Sequence, residues 1–340
     1  THVDDILTIG TPIGLEKFEK EFVAIYQCNV QKGWKHSYLA LDIVQHSTTY
    51  QVSVGQSGYR RDVLNRFAHL MQGVRNDGRV PSGPEIIQPE TDESPPADRS
   101  MYASVVMSVM FLSRFTRIDL SFTVNILTTH IAHPTVHHMK HAVRLLKYLA
   151  HVSDMVIVYK SSDPNPVIYA DASHATHADG KGHGCIMIFI GTGIIYCKSY
   201  KLRLTTLSST ESEYVVMCDA STLAEWFMSI LRFMRIKAER IDVVQDNTST
   251  IAWTEGDMTF ARNKHLMIRR NKAKEAVVSG LIRVINVPTE RMLADLGTKP
   301  LPLRQLLAHM SNAGMMCLDR DGDGYRLRRI EIPIRRRDRE

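Results

Sequence analysis

At 340 residues, 44% of them hydrophobic, the chain is long enough to bury two or three separate cores, which excludes a wholly disordered protein. The formal net charge of +6 fits an anionic partner, nucleic acid foremost. Five cysteines, at 28, 185, 197, 218 and 317, are odd in number and show no CxxC spacing, which argues against a disulfide framework or a zinc site. The longest apolar candidate, MYASVVMSVMFLSRF, is interrupted by Arg114 and Arg117, so no membrane span is expected. No export signal is read at the start, and an intracellular location, cytoplasmic or nuclear, is expected.

The chain opens on THVDDILTIG, where Asp4 and Asp5 stand between Val3 and the apolar pair Ile6 and Leu7. Two adjacent acids there read as a surface turn or as metal ligands of a polymerase. With Thr1 where an initiating Met would stand, the chain reads as a piece of something longer. The stretch SYLALDIVQHSTTYQVSV reads as two strands around a polar turn, and GYRRDVLNRFAHL as a short helix. Proline, glycine and acids without periodicity then mark residues 73–99 as an exposed linker. Further on, Val136, Met139, Val143, Leu146 and Leu149 form one apolar helical stripe. The opposite face carries His137, His138, Lys140, His141, Arg144 and Lys147, which is either a solvated face or a surface that tracks phosphates.

From residue 165 the pattern becomes strand-rich. VIYADAS reads as a strand ending in an acid, and CIMIFI, GTG and IIYCKSY as a hairpin. LSSTESEY opens a long helix, RIDVVQDN is a fourth strand ending in an acid, and residues 263–279 read as helical. LIRVINV is a fifth strand and PTERMLADLGTK a last short helix. The order βββαβαβα gives an α/β fold with a mixed sheet.

Asp171 and Asp246 thus end predicted strands, while Glu213 and Asp295 fall on helices able to flank those ends. Four carboxylates gathered there would repel one another unless divalent cations neutralised them, and hard oxygen ligands suit Mg²⁺. Each acid also has a plain alternative. The strand-end acids serve as turn formers, Asp246 as a helix cap, and Asp295 as a solvated residue. Ser208 with Glu211, or Thr210 with Glu213, makes a capping box.

The ordered set YADAS, TLSSTESEY, VVQDNTSTIAW, NKHL and VPTERMLADLGTKPL resembles the ribonuclease H domain of copia-type LTR retrotransposon polyproteins. That resemblance implies a ribonuclease H-like mixed sheet over residues 165–302, hydrolysis of RNA in an RNA–DNA hybrid, and two Mg²⁺ or Mn²⁺ ions held by Asp171, Glu213, Asp246 and Asp295. It favours Glu213 over Glu211, because the acid directly before the aromatic and apolar pair Tyr214 and Val215 matches the family. Lys198, Lys201 and Arg203 are expected to meet phosphates, and Ser173, Asn247 and Thr248 to contact 2′-hydroxyls. Upstream, HVDDILTIG, YLALDIV and the helical stretches resemble the same polyproteins' reverse transcriptase. The expectation is a truncated α/β palm remnant over 1–72, with Asp4 and Asp5 as vestigial polymerase acids, no polymerase activity, and a helical connecting region over 100–160. Cytoplasmic virus-like particles join the expected locations. The alternative is a noncatalytic nucleic-acid-binding remnant.

Residues 303–340 read as a basic tail. Within them DRDGDGY imitates a calcium loop, but Ile330 stands where a bidentate Glu belongs, so an acidic turn is expected.

Overall fold

The computed structural model describes residues 5–46, 49, 51–73, 78–88, 94–160, 165–256, 264–321 and 324–330. In chain order, its first elements are α1 (Pro12–Ile25), β1 (Lys35–Tyr38), β2 (Leu41–Gln45), β3 (Val52–Gly55) and α2 (Ser57–Arg66). A helical stretch follows, with α3 (Arg99–Phe115), α4 (Ser121–Thr128) and α5 (Val136–His151), and then β4 (Met155–Tyr159). The strand-rich part holds β5 (Pro166–Ser173), β6 (His183–Ile190), β7 (Gly193–Lys201), α6 (Ser209–Phe233), β8 (Ile241–Gln245), α7 (Thr248–Glu255), α8 (Lys264–Val278) and β9 (Ile282–Asn286). Last come α9 (Leu303–Asn312), β10 (Met315–Asp321) and β11 (Gly324–Arg328).

Two sheets result. The first is wholly antiparallel, in the order β1-β2-β3-β4-β10-β11. The second runs β7-β6-β5-β8-β9, with β5, β6 and β7 antiparallel and β5, β8 and β9 parallel. This second sheet has the ribonuclease H-like arrangement that the motifs imply. Its two faces are both buried, which is why its strands read as near-continuous apolar runs. On one face Ile168, Ala170, Ile186 and Ile188 pack against Val216, Ala220 and Phe227 of α6. On the other, Met187, Phe189 and Val244 join a core that continues into Tyr102, Val105 and Val109 of α3 and Leu145 and Leu149 of α5.

Several expectations change. The strand read through SYLALDIV is broken by a two-residue turn at Leu39 and Ala40, both at positive φ (51° and 61°), where neither Gly nor Asn announces it. Part of the segment expected as an exposed linker is packed instead. Ser82 and Ile86 are buried, the Ser82 hydroxyl meets that of Thr123, and Glu85 pairs with Arg144 of α5. Neither reading of the basic face of α5 is complete, because His138 and His141 are buried while Val136 of the expected apolar stripe is 37% exposed. A helix of sufficient length and apolarity to cross a membrane does exist, α6, with 25 residues; most of it lies buried against the sheet.

The expected tail is the largest correction. Residues 303–328 form α9 and the β10–β11 hairpin, and β10 pairs with β4 through Met315↔Ile157, Met316↔Val156 and Cys317↔Met155. Leu306, Met310 and Met315 enter the main core. Basic side chains dominate the composition there and hide an apolar helix face. Of the DRDGDGY stretch, Asp319 pairs with Arg328 at 2.6 Å, while Gly322, Asp323 and residues 331–340 lie outside the described residues. Met310→Ala is expected to cost about 2–5 kcal/mol, because it leaves a cavity at a fully buried position. Chemical denaturation measures it, and a change near zero would mean that this segment does not fold onto β4.

Candidate active site

Parallel pairing of β5 with β8 sets Tyr169 opposite Val244, so that Asp171 and Asp246, each two residues further on, reach the same level at the carboxyl ends of adjacent strands. Gln245, fully buried, fastens this edge. Its amide donates to the Ala170 carbonyl at 3.3 Å, and its side-chain oxygen accepts from the backbone N–H groups of Asp246 at 2.8 Å and Asn247 at 3.1 Å. Asn247, not Asp246, caps α7, accepting from the N–H groups of Ser249 and Thr250.

The first turn of α6 separates the two candidate glutamates. Ser208 caps the helix by accepting from the Glu211 N–H, and Glu211 Oε2 accepts from the Leu207 N–H at 2.8 Å, so Glu211 is occupied by the helix end. Glu213 turns instead to the strand ends, where Oε1 accepts from Asn247 Nδ2 at 3.1 Å. Asp295 lies on a 3-10 turn, Leu293–Gly297, rather than on the α-helix expected. Gly297 lets that turn press on β6, since a Cβ there would collide with Cys185 Sγ. A polar chain also holds the turn: Ser199 donates to the Gly297 carbonyl at 2.8 Å, and His183 and His177 follow behind it at 2.8 and 3.0 Å. Burial keeps His183 neutral, pushing its pKa down to about 3.

Asp171, Glu213 and Asp295 are 5%, 8% and 1% exposed, and Asp246 is half-buried. Burial, then the hydrogen bond from Asn247 in the opposite sense, then the charges of Asp171 and Asp246 leave the Glu213 carboxyl raised to about 8. Burial and the Asp171 charge raise Asp295 to about 7, against the opposing pull of Lys299. The four acids therefore share one electrostatic field. Two residues that the sequence reading passed over hold them: Thr298 donates to Asp171 Oδ2 at 2.5 Å, and Lys299 Nζ lies 2.8 Å from Asp295 Oδ1. Both follow Asp295 closely in the motif ADLGTK, which was the available signal.

The donor set suits a hard divalent cation, being all carboxylate oxygen. Glu213 Oε2 and Asp295 Oδ1 are buried and accept no hydrogen bond; Asp295 Oδ1 has an ion-pair neighbour, Lys299, but no aligned donor. Among the described residues no three acids or histidines already stand at the spacing of a closed metal site. Thr298 and Lys299 each engage one carboxylate of the group, Asp171 and Asp295 respectively.

Of the expected substrate contacts, Asn247 touches Glu213 directly, Ser173 ends β5, and Thr248 is exposed at the start of α7. Lys201 is paired with Asp179 at 2.8 Å, Arg203 is exposed, and Lys198 lies over the Tyr200 ring, 4.6 Å from its centroid. Asp5 is exposed; Asp4 lies outside the described residues.

No family model matches the chain. Among curated proteins it is 25% identical over 309 residues to a retrovirus-related Pol polyprotein from transposon TNT 1-94 of Nicotiana tabacum, covering 88% of this chain and 23% of the relative. It is 29% identical over 304 residues to the Pol polyprotein from transposon RE2 of Arabidopsis thaliana, covering 88% and 20%. The resemblance to copia-type Pol polyproteins thus extends over most of the chain, which spans less than a quarter of the length of these relatives. Similar solved structures include ribonuclease H1 from Halobacterium salinarum, at 16% identity and TM-score 0.31 over 39% of this chain and 94% of that one. Another is a foamy viral protease-reverse transcriptase in complex with dsDNA, at 13% identity and TM-score 0.47 over 84% and 53%.

Raised carboxyl groups predict a pH dependence. Between its unfolded value, near 4.5 for Glu213 and 3.8 for Asp295, and its folded value, each group binds more protons in the folded chain, so stability falls as pH rises through that interval. The buried histidines, whose folded values are depressed, act oppositely, but only below about pH 6.5. In chelator the melting temperature is therefore expected to fall between pH 7 and pH 8, and Glu213→Gln to flatten that slope. A rising melting temperature across the same interval in the parent protein would contradict the shared field.

Proposed function

We propose that this chain carries a ribonuclease H-type endonuclease, which hydrolyses the RNA strand of an RNA–DNA hybrid. The observation that carries the reading is the convergence of Asp171, Glu213, Asp246 and Asp295 on one strand edge, where two of the four hold protons far above the ordinary carboxylate range. Such a cluster is costly to assemble and contributes nothing to packing, so a ligand of opposite charge is its physical rationale. Two Mg²⁺ or Mn²⁺ ions supply, when bound, an activated water on one side of a phosphodiester and a stabilised leaving oxygen on the other.

The chain's own residues do the rest. Asp171 and Asp246, adjacent across the parallel pair, would hold the ions together with Glu213 and Asp295. Asn247 orients Glu213, and Thr298 orients Asp171. The exposed Thr248 hydroxyl and Ser173 at the strand end are the candidates to read a 2′-hydroxyl, while Lys201 and Arg203 face the phosphates. In the reaction the water oxygen would bond to phosphorus as the bond to the leaving ribose oxygen breaks; the water gives up a proton to solvent and the leaving oxygen takes one from solvent, giving a terminal phosphate and a ribose hydroxyl.

A labelled RNA–DNA hybrid incubated with the purified protein, with and without Mg²⁺, tests this. Asp171→Asn and Asp246→Asn are each expected to lower cleavage at least ~100-fold while preserving the melting profile. Glu213→Gln is expected to abolish cleavage and Glu211→Gln to leave it, since a glutamine at 211 still accepts from the Leu207 N–H. Full activity in Asp171→Asn or Asp246→Asn would sink the assignment. Hybrid binding without cleavage in the parent chain would favour the rival reading, a noncatalytic nucleic-acid-binding remnant.

A further inference from the structure

Lys299 is the cation that acts on both raised carboxyl groups, Glu213 and Asp295. Its ammonium lies 2.8 Å from Asp295 Oδ1, and its charge reaches Asp171 and Asp246 as well. Its placement is built into the chain. The backbone N–H groups of Thr298 and Lys299 both donate to the Asp295 carbonyl, at 3.3 and 3.4 Å, which holds the lysine stem against the acid four residues before it. The partners differ sharply in exposure: the Asp295 side chain is 1% exposed, the Lys299 side chain 40%. One end of this pair is fixed inside the site, and the other has an open route to water.

We propose that Lys299 is a built-in counter-ion of the acid cluster, which holds the carboxylates together in the metal-free protein and is displaced toward solvent when a divalent ion binds. The idea rests on the two-metal reading above. Four carboxylates on one strand edge need positive charge at all times, not only during the reaction, or the edge would repel itself apart. A lysine suits this role because its ammonium is a compact point charge on a flexible four-carbon stem, so it can occupy and leave a site without dragging a rigid fork through it. The consequence is competition. Every divalent ion that binds must first overcome the ion pair with Asp295, so Lys299 lowers metal affinity and keeps the cluster assembled without metal.

This separates Lys299 from a residue that merely props Asp295 in place, because removing a prop weakens metal binding whereas removing a competitor tightens it. The measurement is Mn²⁺ titration by calorimetry, on the full chain and without nucleic acid, comparing the parent protein with Lys299→Met and Lys299→Arg. Lys299→Met is expected to bind Mn²⁺ roughly tenfold more tightly, within the usual range of coupling between competing ligands. Lys299→Arg, which keeps the charge, is expected to stay near the parent value. In chelator the Lys299→Met protein should melt below the parent, and the gap should close in saturating Mn²⁺. A Lys299→Met protein that folds only with Mn²⁺, while Lys299→Arg folds without it, is the extreme form of the same result. If the parent binds Mn²⁺ and Lys299→Met binds it equally or more weakly, the counter-ion role is overturned and the two-metal reading stands. If neither protein binds Mn²⁺, the two-metal reading fails and the displacement fails with it.

Discussion

Parallel pairing between β5 and β8 is the constraint on which the rest of the molecule depends. Two strands that run the same way end at the same edge, and here each continues into an aspartate. Antiparallel pairing would send Asp171 and Asp246 to opposite edges. The parallel pair in turn requires a crossover, and α6, packed over one face of the sheet, provides it. Because that helix begins beside the same edge, Glu213, just past its first turn, joins the cluster as a by-product of the crossover that makes the parallel pair possible.

Gathering these acids works against folding, and the surrounding residues offset the cost locally. Gln245 saturates the backbone of the strand ends, Asn247 and Thr298 donate to carboxylate oxygens, and Lys299 contributes charge. Asp295 depends on more distant support. Its 3-10 turn sits on β6 because Gly297 has no side chain, and it is tied down through Ser199 and the His183–His177 pair. The cluster is thus held by polar contacts from several elements, with Lys299 offsetting part of its negative charge.

The two sheets are not independent bodies hung on a linker. One core runs from α3 and α5 into the outer face of the ribonuclease H-like sheet and on to α9 and β10. The antiparallel sheet takes strands from three distant stretches of chain, β1 to β3, β4, and β10 with β11. A fully buried ion pair, Arg117 with Asp119, further supported by the Tyr148 hydroxyl on Asp119, ties the connection after α3 to α5. Removing one partner of such a pair would leave an uncompensated charge in a dry interior.

The five strands and the long helix over residues 165–302 were legible in the sequence, because runs such as CIMIFI and the capping pattern of SSTE carry their own periodicity and end signals, whereas α7 stands as a helix of its own outside the βββαβαβα order. Asp171 and Asp246 were legible for the same reason, as acids closing apolar strands. Local pattern could not separate Glu211 from Glu213, since both satisfy a capping box; the tertiary fold does, because Asn247 from beyond β8 donates to Glu213 while the Leu207 N–H occupies Glu211. The turn at Leu39 and Ala40 lacked glycine or asparagine and stayed invisible, as strand pairing alone holds that backbone. Composition misled at residues 303–328, where arginines and acids mask the few apolar side chains that bury against β4. Lys299 stands in the motif ADLGTK, but nothing local says that its ammonium turns back onto Asp295; the 3-10 turn decides that. What the sequence determined by itself was the strands over residues 165–302 and the acids at their ends, which follow from contacts a few residues apart. What only the tertiary structure decided was the company those acids keep, because charge, burial and donors around a carboxylate come from segments far away along the chain.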